Sequence, residues 1–326
     1  MRFIDNCNKQ KIFESISDST VKVIIAVSGG ADSLALADLL YRSQRRFNLK
    51  LCIAHFEHGL RGDESLADAE FVKKFATERK IDCIVKSGDV KNFSELQKLS
   101  IETAAREMRY KFLKTVQKDL KYDIIALAHH ADDQAETILM RILRGAGSVG
   151  LSAMQVKSGI LIRPLLNFRK SELENYCRQR NIQPRIDSTN FETDATRNKI
   201  RLELIPALQK YNPAIVETLC RLGAAATEDS EFIQVEAAKI FLTAVRHKNN
   251  LELSRDIVNK QHISIQRAII RLFIEKSTGS IKDFEFIHFE SIRRVLTDNL
   301  KGVELPHKFR ANLKKGWLTI EKNKID

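Results

Sequence analysis

Between Val21 and Leu143 the chain repeats one pattern: a short apolar run, then a longer stretch with apolar positions at helical spacing. Val21–Val27 (VKVIIAV) is an almost unbroken β-branched run, as expected of a strand covered on both faces. Ala31 to Tyr41 follows, with Leu34, Leu36, Leu39 and Leu40 at helical intervals. The pattern then predicts strands over Leu49–Phe56, Ile81–Lys86 and Tyr122–Ala128. Helices are predicted over Glu64–Lys80, Ile101–Asp119 and Ala131–Leu143. Four strand–helix units in succession predict an α/β fold, a parallel sheet with helices on both faces.

No proline occurs before Pro164, and then Pro164, Pro184, Pro206 and Pro213 fall close together. Gln183–Asn198 is polar and irregular and reads as an ordered loop or linker. After Asn212 the pattern turns mainly helical to about Phe241, and again over Ile263–Glu275. It ends in Val303–Glu321, whose β-character and single Trp317 predict a small sheet. A chain of 326 residues suits two domains. The expected division is 1–211 and 212–326, the second smaller and mainly helical with short strands at its end.

Composition narrows the classes. With 43% hydrophobic and 29% charged residues, a wholly disordered or fibrous chain is excluded. The longest apolar runs, around Ile24–Val27 and Ile124–Ala128, are too short to span a bilayer. Asp5 and Glu14 leave no apolar segment for a secretory signal, so a soluble cytoplasmic protein without a membrane partner is expected. The cysteines Cys7, Cys52, Cys83, Cys177 and Cys220 are odd in number and form no CxxC pair. That argues against a zinc ribbon, a dithiol redox site and a disulfide scaffold. Lys+Arg total 54 against 42 Asp+Glu, and the net +12 favours a polyanionic partner only weakly by itself.

The chemistry concentrates after the first strand, at Ser28-Gly29-Gly30-Ala31-Asp32-Ser33. In an open parallel sheet, ligands bind beyond the carboxyl ends of the strands, where this turn lies. Its glycines let the backbone approach an anion, and the N–H groups of the helix start, with the Ser28 and Ser33 hydroxyls, can hold phosphate oxygens. The Walker A lysine is missing, and so is the dinucleotide GxGxxG spacing. An aspartate inside a phosphate loop repels phosphate unless a divalent cation lies between them, so Asp32 predicts Mg²⁺. The blander reading is an N-cap turn. Gly145–Gly150 does spell GxGxxG, but it follows a helix rather than a strand, which excludes the dinucleotide motif.

The SGGADS hexapeptide resembles the SGGxDS signature of the PP-loop N-type ATP pyrophosphatases, which cleave ATP to AMP and pyrophosphate while activating a substrate. Further segments resemble one family within that superfamily, the tRNA(Ile)-lysidine synthases. They are His55–Arg61 (HFEHGLR), Glu102–Tyr110 (ETAAREMRY), Ala128–Thr137 (AHHADDQAET), Arg141–Gly145 (RILRG), Arg163–Leu166 (RPLL), and Asp187–Asn190 (DSTN) followed by Arg197–Arg201 (RNKIR). They span roughly the first two thirds of the chain. Two departures stand out: Ser188 replaces the usual proline of DPTN, and Gln183-Pro184-Arg185 lacks the aromatic usual shortly before it.

The resemblance implies a PP-loop catalytic domain over 1–211 and a tRNA-binding domain over 212–326. It implies ATP and Mg²⁺ as cofactors, with ATP held by Ser28, Gly29, Gly30, Ala31, Asp32, Ser33 and His55. Asp32, Arg106, Asp132, Glu136 and Arg197 are the implied catalytic residues. His129, Asp133, Arg109, Arg141, Arg144 and Arg201 are implied to face substrate or tRNA. Asp132 and Glu136, at i and i+4, share one helix face and can take Mg²⁺ or the ammonium of an amino acid. As acids in a first helical turn they also simply suit the helix dipole. A zinc site from His129, His130 and Asp132 has no supporting cysteine or HExxH spacing. Arg106 and Arg109, at i and i+3, can grip phosphates or a carboxylate, surface salt bridging being the alternative.

The implied activity is ATP-dependent joining of free L-lysine to the wobble cytidine of tRNA(Ile) with a CAU anticodon, through an adenylated base. A homodimer is left open. From Arg293 to Lys324, nine Lys/Arg face three acids, which in this family context reads as an RNA-backbone surface. The competing readings are a sulfur-inserting PP-loop tRNA enzyme, which usually relies on paired cysteines, and a non-catalytic RNA-binding protein.

Overall fold

A computed structural model describes residues 2–14, 20–59, 63–145, 148–185, 195–248 and 250–323. The apolar runs become the centre of a six-stranded sheet. Its strands are β1 (Val21–Ala26), β2 (Leu49–Glu57), β3 (Asp82–Ser87), β4 (Ile124–Ala126), β5 (Lys157–Ser158) and β6 (Leu161–Ile162), in the order β3-β2-β1-β4-β6-β5. All neighbours run parallel except β5, which folds back antiparallel on β6. Chain order reverses at β1, whose neighbours are β2 and β4. A crevice therefore opens beyond the carboxyl ends of β1 and β4, where open α/β sheets bind ligands.

Alternate residues of β1 serve opposite faces, so both must be apolar. Val23, Ile25 and Ile53 pack on one face against Phe3, Leu34, Val72 and Leu173. These side chains come from α1 (Arg2–Lys9), α2 (Ala31–Phe47), α3 (Asp63–Glu78) and, later in the chain, a helix over Lys170–Gln179. Ile24, Cys52 and Ala54 pack on the other face against Val90, Ala104 and Leu113, carried by α4 (Val90–Gln97) and α5 (Ile101–Asp119). Val23, Ile24 and Ile25 are fully buried, each worth about 1.5–3 kcal/mol relative to exposure. The helix α6 (Ala131–Leu143) follows β4, and Lys170–Gln179 is α7. Buried Asp38 of α2 ties three helices together, accepting bonds from Arg42 (2.7 Å), Arg79 just beyond α3 (3.0 Å) and Tyr176 of α7 (2.7 Å).

Beyond α7 come α8 (Ala195–Lys199), a π-helical turn (Ile200–Leu204), α9 (Ile205–Gln209) and the long α10 (Ile215–Ala244). Ile200, Ile205, Val216 and Leu219 pack on Ala131, Ala135, Ile138 and Leu139 of α6. By packing, the chain divides into two units, one running to Met140 together with Ala153–Arg221, the other comprising Arg141–Ser152 and the chain from Leu222 onward.

The second unit holds a five-stranded antiparallel sheet in the order β7-β8-β11-β10-β9. These are β7 (Val245–His247), β8 (Leu251–Ser254), β9 (Gly302–Leu305), β10 (Phe309–Lys314) and β11 (Trp317–Lys322). Leu253, Ala311 and Leu318 form one core with Ile269, Phe273, Ile292 and Val295, from α12 (Ile263–Thr278) and α13 (Phe286–Thr297), while the short α11 (Arg255–Asn259) adds Val258. Gly302 is required where β9 meets β10: a Cβ there would stand 2.4 Å from the Ala311 carbonyl oxygen.

The parallel sheet and its paired helices follow the sequence pattern, and so does the C-terminal sheet. Helices α1, α4, α7 and α13 and strands β5 to β8 were not anticipated. All but α13, of 12 residues, are short, and too few periods fit in them for the pattern to declare itself. Ala195–Asn198, expected as loop, begins α8, while 186–194 lie outside the described residues.

Candidate active site

From β1 the chain turns through Ser28–Gly30 into α2. Gly29 sits at φ +95°, a conformation that a Cβ strains, so glycine is needed for the turn. Gly30 caps α2 with no side-chain bond to the helix's first N–H groups. Those donors and the positive end of a 17-residue helix dipole are therefore left for an anion. The Ser33 hydroxyl is turned inward. It donates to the Gly30 carbonyl at 2.9 Å and accepts from the Ser28 N–H at 3.2 Å, bracing the loop. Asp32 Oδ1 is buried with no partner. A cavity of about 210 Å³ opens here, lined among others by Ser28, Gly30, Asp32, Phe56, Arg109 and His129. At the end of β2, the buried His55 donates Nδ1–H to the Val27 carbonyl (2.8 Å). Its Nε2 is left as a buried acceptor without a partner, and burial holds its pKa down.

The start of α6 faces the same loop. His130, 4% exposed, stands 3.5 Å from carboxylate oxygens of Asp32 and Asp133 and 3.6 Å from Asp132. Burial opposes its charge, but the three carboxylates outweigh burial and raise its pKa. Burial likewise pushes Asp133 up, and His130, His129 and Arg197 more than reverse this, so it stays ionised. Glu136, 1% exposed, accepts from Arg197 Nε and Arg201 Nε, both at 2.6 Å. Arg197 also donates to Asp133 at 3.1 Å. Asp133, Glu136, Arg197 and Arg201 thus form one ion network joining α6 to α8 and the π turn.

Asp132 belongs elsewhere. Its Oδ1 accepts from Arg169 (3.1 and 3.0 Å) and its Oδ2 from the Lys170 N–H (2.7 Å). Arg169 in turn bonds Glu217 at 2.7 Å. Although Asp132 and Glu136 are one turn apart, they serve different arginines.

Arg106 and Arg109 lie 5.2 and 5.7 Å from the Tyr110 ring centre. They are grouped with a third arginine that the sequence reading passed over as a candidate, Arg163 after β6. Together the three depress His129: burial lowers its pKa, Asp133 opposes, and Arg163, Arg109 and Arg106 add to the fall, to about 4. His129 is therefore neutral at physiological pH. Arg141, bonded to the Ser152 carbonyl, and exposed Arg144 fall in or beside the chain's second unit. Among the described residues, no group of three or more His, Cys, Asp or Glu is arranged to hold a metal, so His129, His130 and Asp132 do not assemble a zinc site. All five cysteines are free thiols. Leu60, Arg61, Ala146, Gly147, Asp187–Asn190 and Lys324 lie outside the described residues.

A family model of the PP-loop domain matches residues 4–208, well over half of the chain. The chain belongs to the PP-loop family. Among curated proteins, tRNA(Ile)-lysidine synthase of Clostridium perfringens is 38% identical over 292 residues, covering 87% of this chain and 62% of that protein. The enzyme of the same name from Clostridium acetobutylicum is 38% identical over 297 residues, covering 89% and 64%. The PP-loop chain thus spans under two thirds of the length of these relatives. Among solved structures, the U34-tRNA thiolase NcsA of Methanococcus maripaludis, with its 4Fe–4S cluster, aligns with a TM-score of 0.56 and 22% identity. That alignment covers 69% of this chain and 79% of the thiolase, and it shows the likeness of fold. Among the described residues no helix is long and apolar enough to cross a membrane.

As a PP-loop domain, the chain is of an ATP-binding kind, and the loop's chemistry fits the nucleotide. The start of α2 is uncapped, and Asp32 Oδ1, His55 Nε2, Arg109 Nε and His129 Nδ1 are buried and unpartnered. One aspartate oxygen beside a phosphate cradle also fits Mg²⁺, which is usually held by one or two carboxylates plus substrate phosphates. Arg163 lies in the RPLL segment but was given no role there; Arg169 and Glu217 were missed because nothing in their local pattern signals partners that come from distant elements.

Proposed function

We propose that this chain joins L-lysine to C2 of the wobble cytidine of tRNA(Ile) bearing a CAU anticodon, using ATP and releasing AMP and pyrophosphate. The observation that carries the reading is the 38% identity over 87% of the chain to a protein named for that activity. The cytosine O2 attacks the α-phosphate of ATP and pyrophosphate leaves. The lysine ε-amine then attacks C2, and the former O2 departs with AMP. Adenylation is needed because an oxygen on an aromatic ring leaves poorly until it is part of a phosphate ester.

The uncapped N–H groups of α2 with Ser28 and Gly30 receive the pyrophosphate. Asp32 would hold Mg²⁺, which when bound neutralises phosphate charge. His130 keeps Asp32 in place from the α6 side. Asp133 and Glu136, paired with Arg197 and Arg201 in the free chain, are the acids that a lysine ammonium would engage by taking the place of one of those partners. The wobble base must leave its stack to reach the loop, as is usual for single-stranded RNA recognition. Residues 212–326, rich in Lys and Arg toward the end, are the proposed tRNA-holding part. A cytoplasmic location accords with such a substrate.

The test is AMP release in the presence of Mg²⁺. The reading expects release only when lysine and the CAU tRNA(Ile) are both supplied, with adenylated tRNA accumulating when lysine is withheld. Equal AMP release without any tRNA would count against it.

A further inference from the structure

Three guanidinium groups gather at Tyr110 without a carboxylate to neutralise them. Arg106 and Arg109 flank its ring from α5. Arg163 comes from the end of β6, with one Nη donating to the Gln155 carbonyl at 2.8 Å. Among the described residues, no ion pair joins any of the three to an acid, and the surroundings of Arg109 and Arg163 are burial, Tyr110 and Arg106. The Nε atoms of Arg109 and Arg163 are both buried and unpartnered. Cation–π contact with a single ring cannot neutralise three charges. Clustered, desolvated like charges are unfavourable unless an anion completes them.

We propose that Arg163, with Arg106 and Arg109, forms an oxyanion site that takes a phosphate of ATP, in addition to the phosphate cradle at the start of α2. Arg109 lines the same cavity as Ser28, Gly30 and Asp32. Because the free Nε donors are buried, they suit a small anion entering that cavity rather than an RNA backbone lying on a surface. His129, in the same cavity, is neutral and does not compete for the anion. A guanidinium fork suits phosphate oxygens in a way an ammonium does not. The inference rests on the PP-loop reading of ATP binding, but not on the identity of the acceptor.

The experiment is calorimetric titration of the full chain with ATP and Mg²⁺, without tRNA, for wild type, Arg163→Gln and Arg163→Lys. Arg163→Gln should weaken ATP at least about tenfold, the loss of one charge-assisted bond. Arg163→Lys should recover part of that loss. Both should stay folded, since neither breaks an ion pair and Arg163→Gln gives up only the bonds to the Gln155 carbonyl and Tyr110, and tRNA affinity should be unchanged. Wild-type ATP affinity in a folded Arg163→Gln or, if that variant does not fold, in Arg163→Lys overturns the proposal. So does weakened tRNA binding with ATP spared, which assigns the cluster to RNA phosphate. A wild type that binds ATP yet transfers no lysine sinks the proposed acceptor and leaves this site standing.

Discussion

Asp32 and Asp132 both lie in the first turn of a helix, but their surroundings give them different tasks. Asp32 keeps a buried oxygen without a partner beside the phosphate cradle, whereas both oxygens of Asp132 are occupied by Arg169 and the Lys170 N–H. Asp32→Ala should therefore abolish AMP formation while leaving tRNA affinity nearly intact. Asp132→Asn should instead lower stability by about 1–3 kcal/mol in urea unfolding, with the KM for ATP unchanged; a collapsed kcat at full stability would contradict that division. His129 supplies a pH test. Its folded pKa of about 4 lies below the unfolded 6.5, so its contribution is complete above pH 6.5 and is lost as pH falls from there toward 4. His130, with its pKa raised, changes in the opposite sense, so the comparison must be with a variant. Between pH 7 and pH 5, wild type should lose about 2 kcal/mol more than His129→Gln. Equal losses would mean that His129 is not held neutral. The PP-loop residues were readable from sequence because their chemistry is contiguous. The division of labour between Asp132 and Asp133 was not, because it depends on which arginines fold against them.

At the scale of elements, α6 is the hub. Its buried Ala131, Ala135 and Ile138 seat α9 and α10, and its Glu136 holds Arg197 and Arg201 from α8 and the π turn. Removing that carboxylate takes from Arg201 its 2.6 Å partner and leaves Arg197 to Asp133, a cost of about 2–3 kcal/mol once their partial exposure is allowed for. Glu136→Gln should thus speed hydrogen exchange over 195–204 while β1 and β2 stay protected. Uniform loosening of both regions would show instead that the network supports the whole unit. The central strands were legible because a strand covered on both faces must be apolar throughout, as Val23, Ile24 and Ile25 are. The edge pair β5–β6 was not, since two-residue strands carry no periodicity. Helices α1, α4 and α7 have at most ten residues and were lost for a similar reason.

Over the whole molecule, the formal net charge is +12, a quantity that bears on partners rather than on fold. It gains meaning from the proposed function: the acceptor proposed for the ATP chemistry is a polyanion, which the chain's excess of cations suits. The five-stranded sheet of the second unit draws β7 and β8 from a stretch that reads as the tail of a helical region. No pattern within those seven residues signals pairing with Trp317–Thr319, which lie far along the chain. The most direct test of the account is incorporation of labelled lysine into a CAU-anticodon tRNA(Ile) transcript with ATP and Mg²⁺, run beside the initiator methionine tRNA with the same anticodon. The account predicts label in the isoleucine tRNA alone. No label in either, with ATP still cleaved, would contradict the acceptor and leave only the PP-loop chemistry.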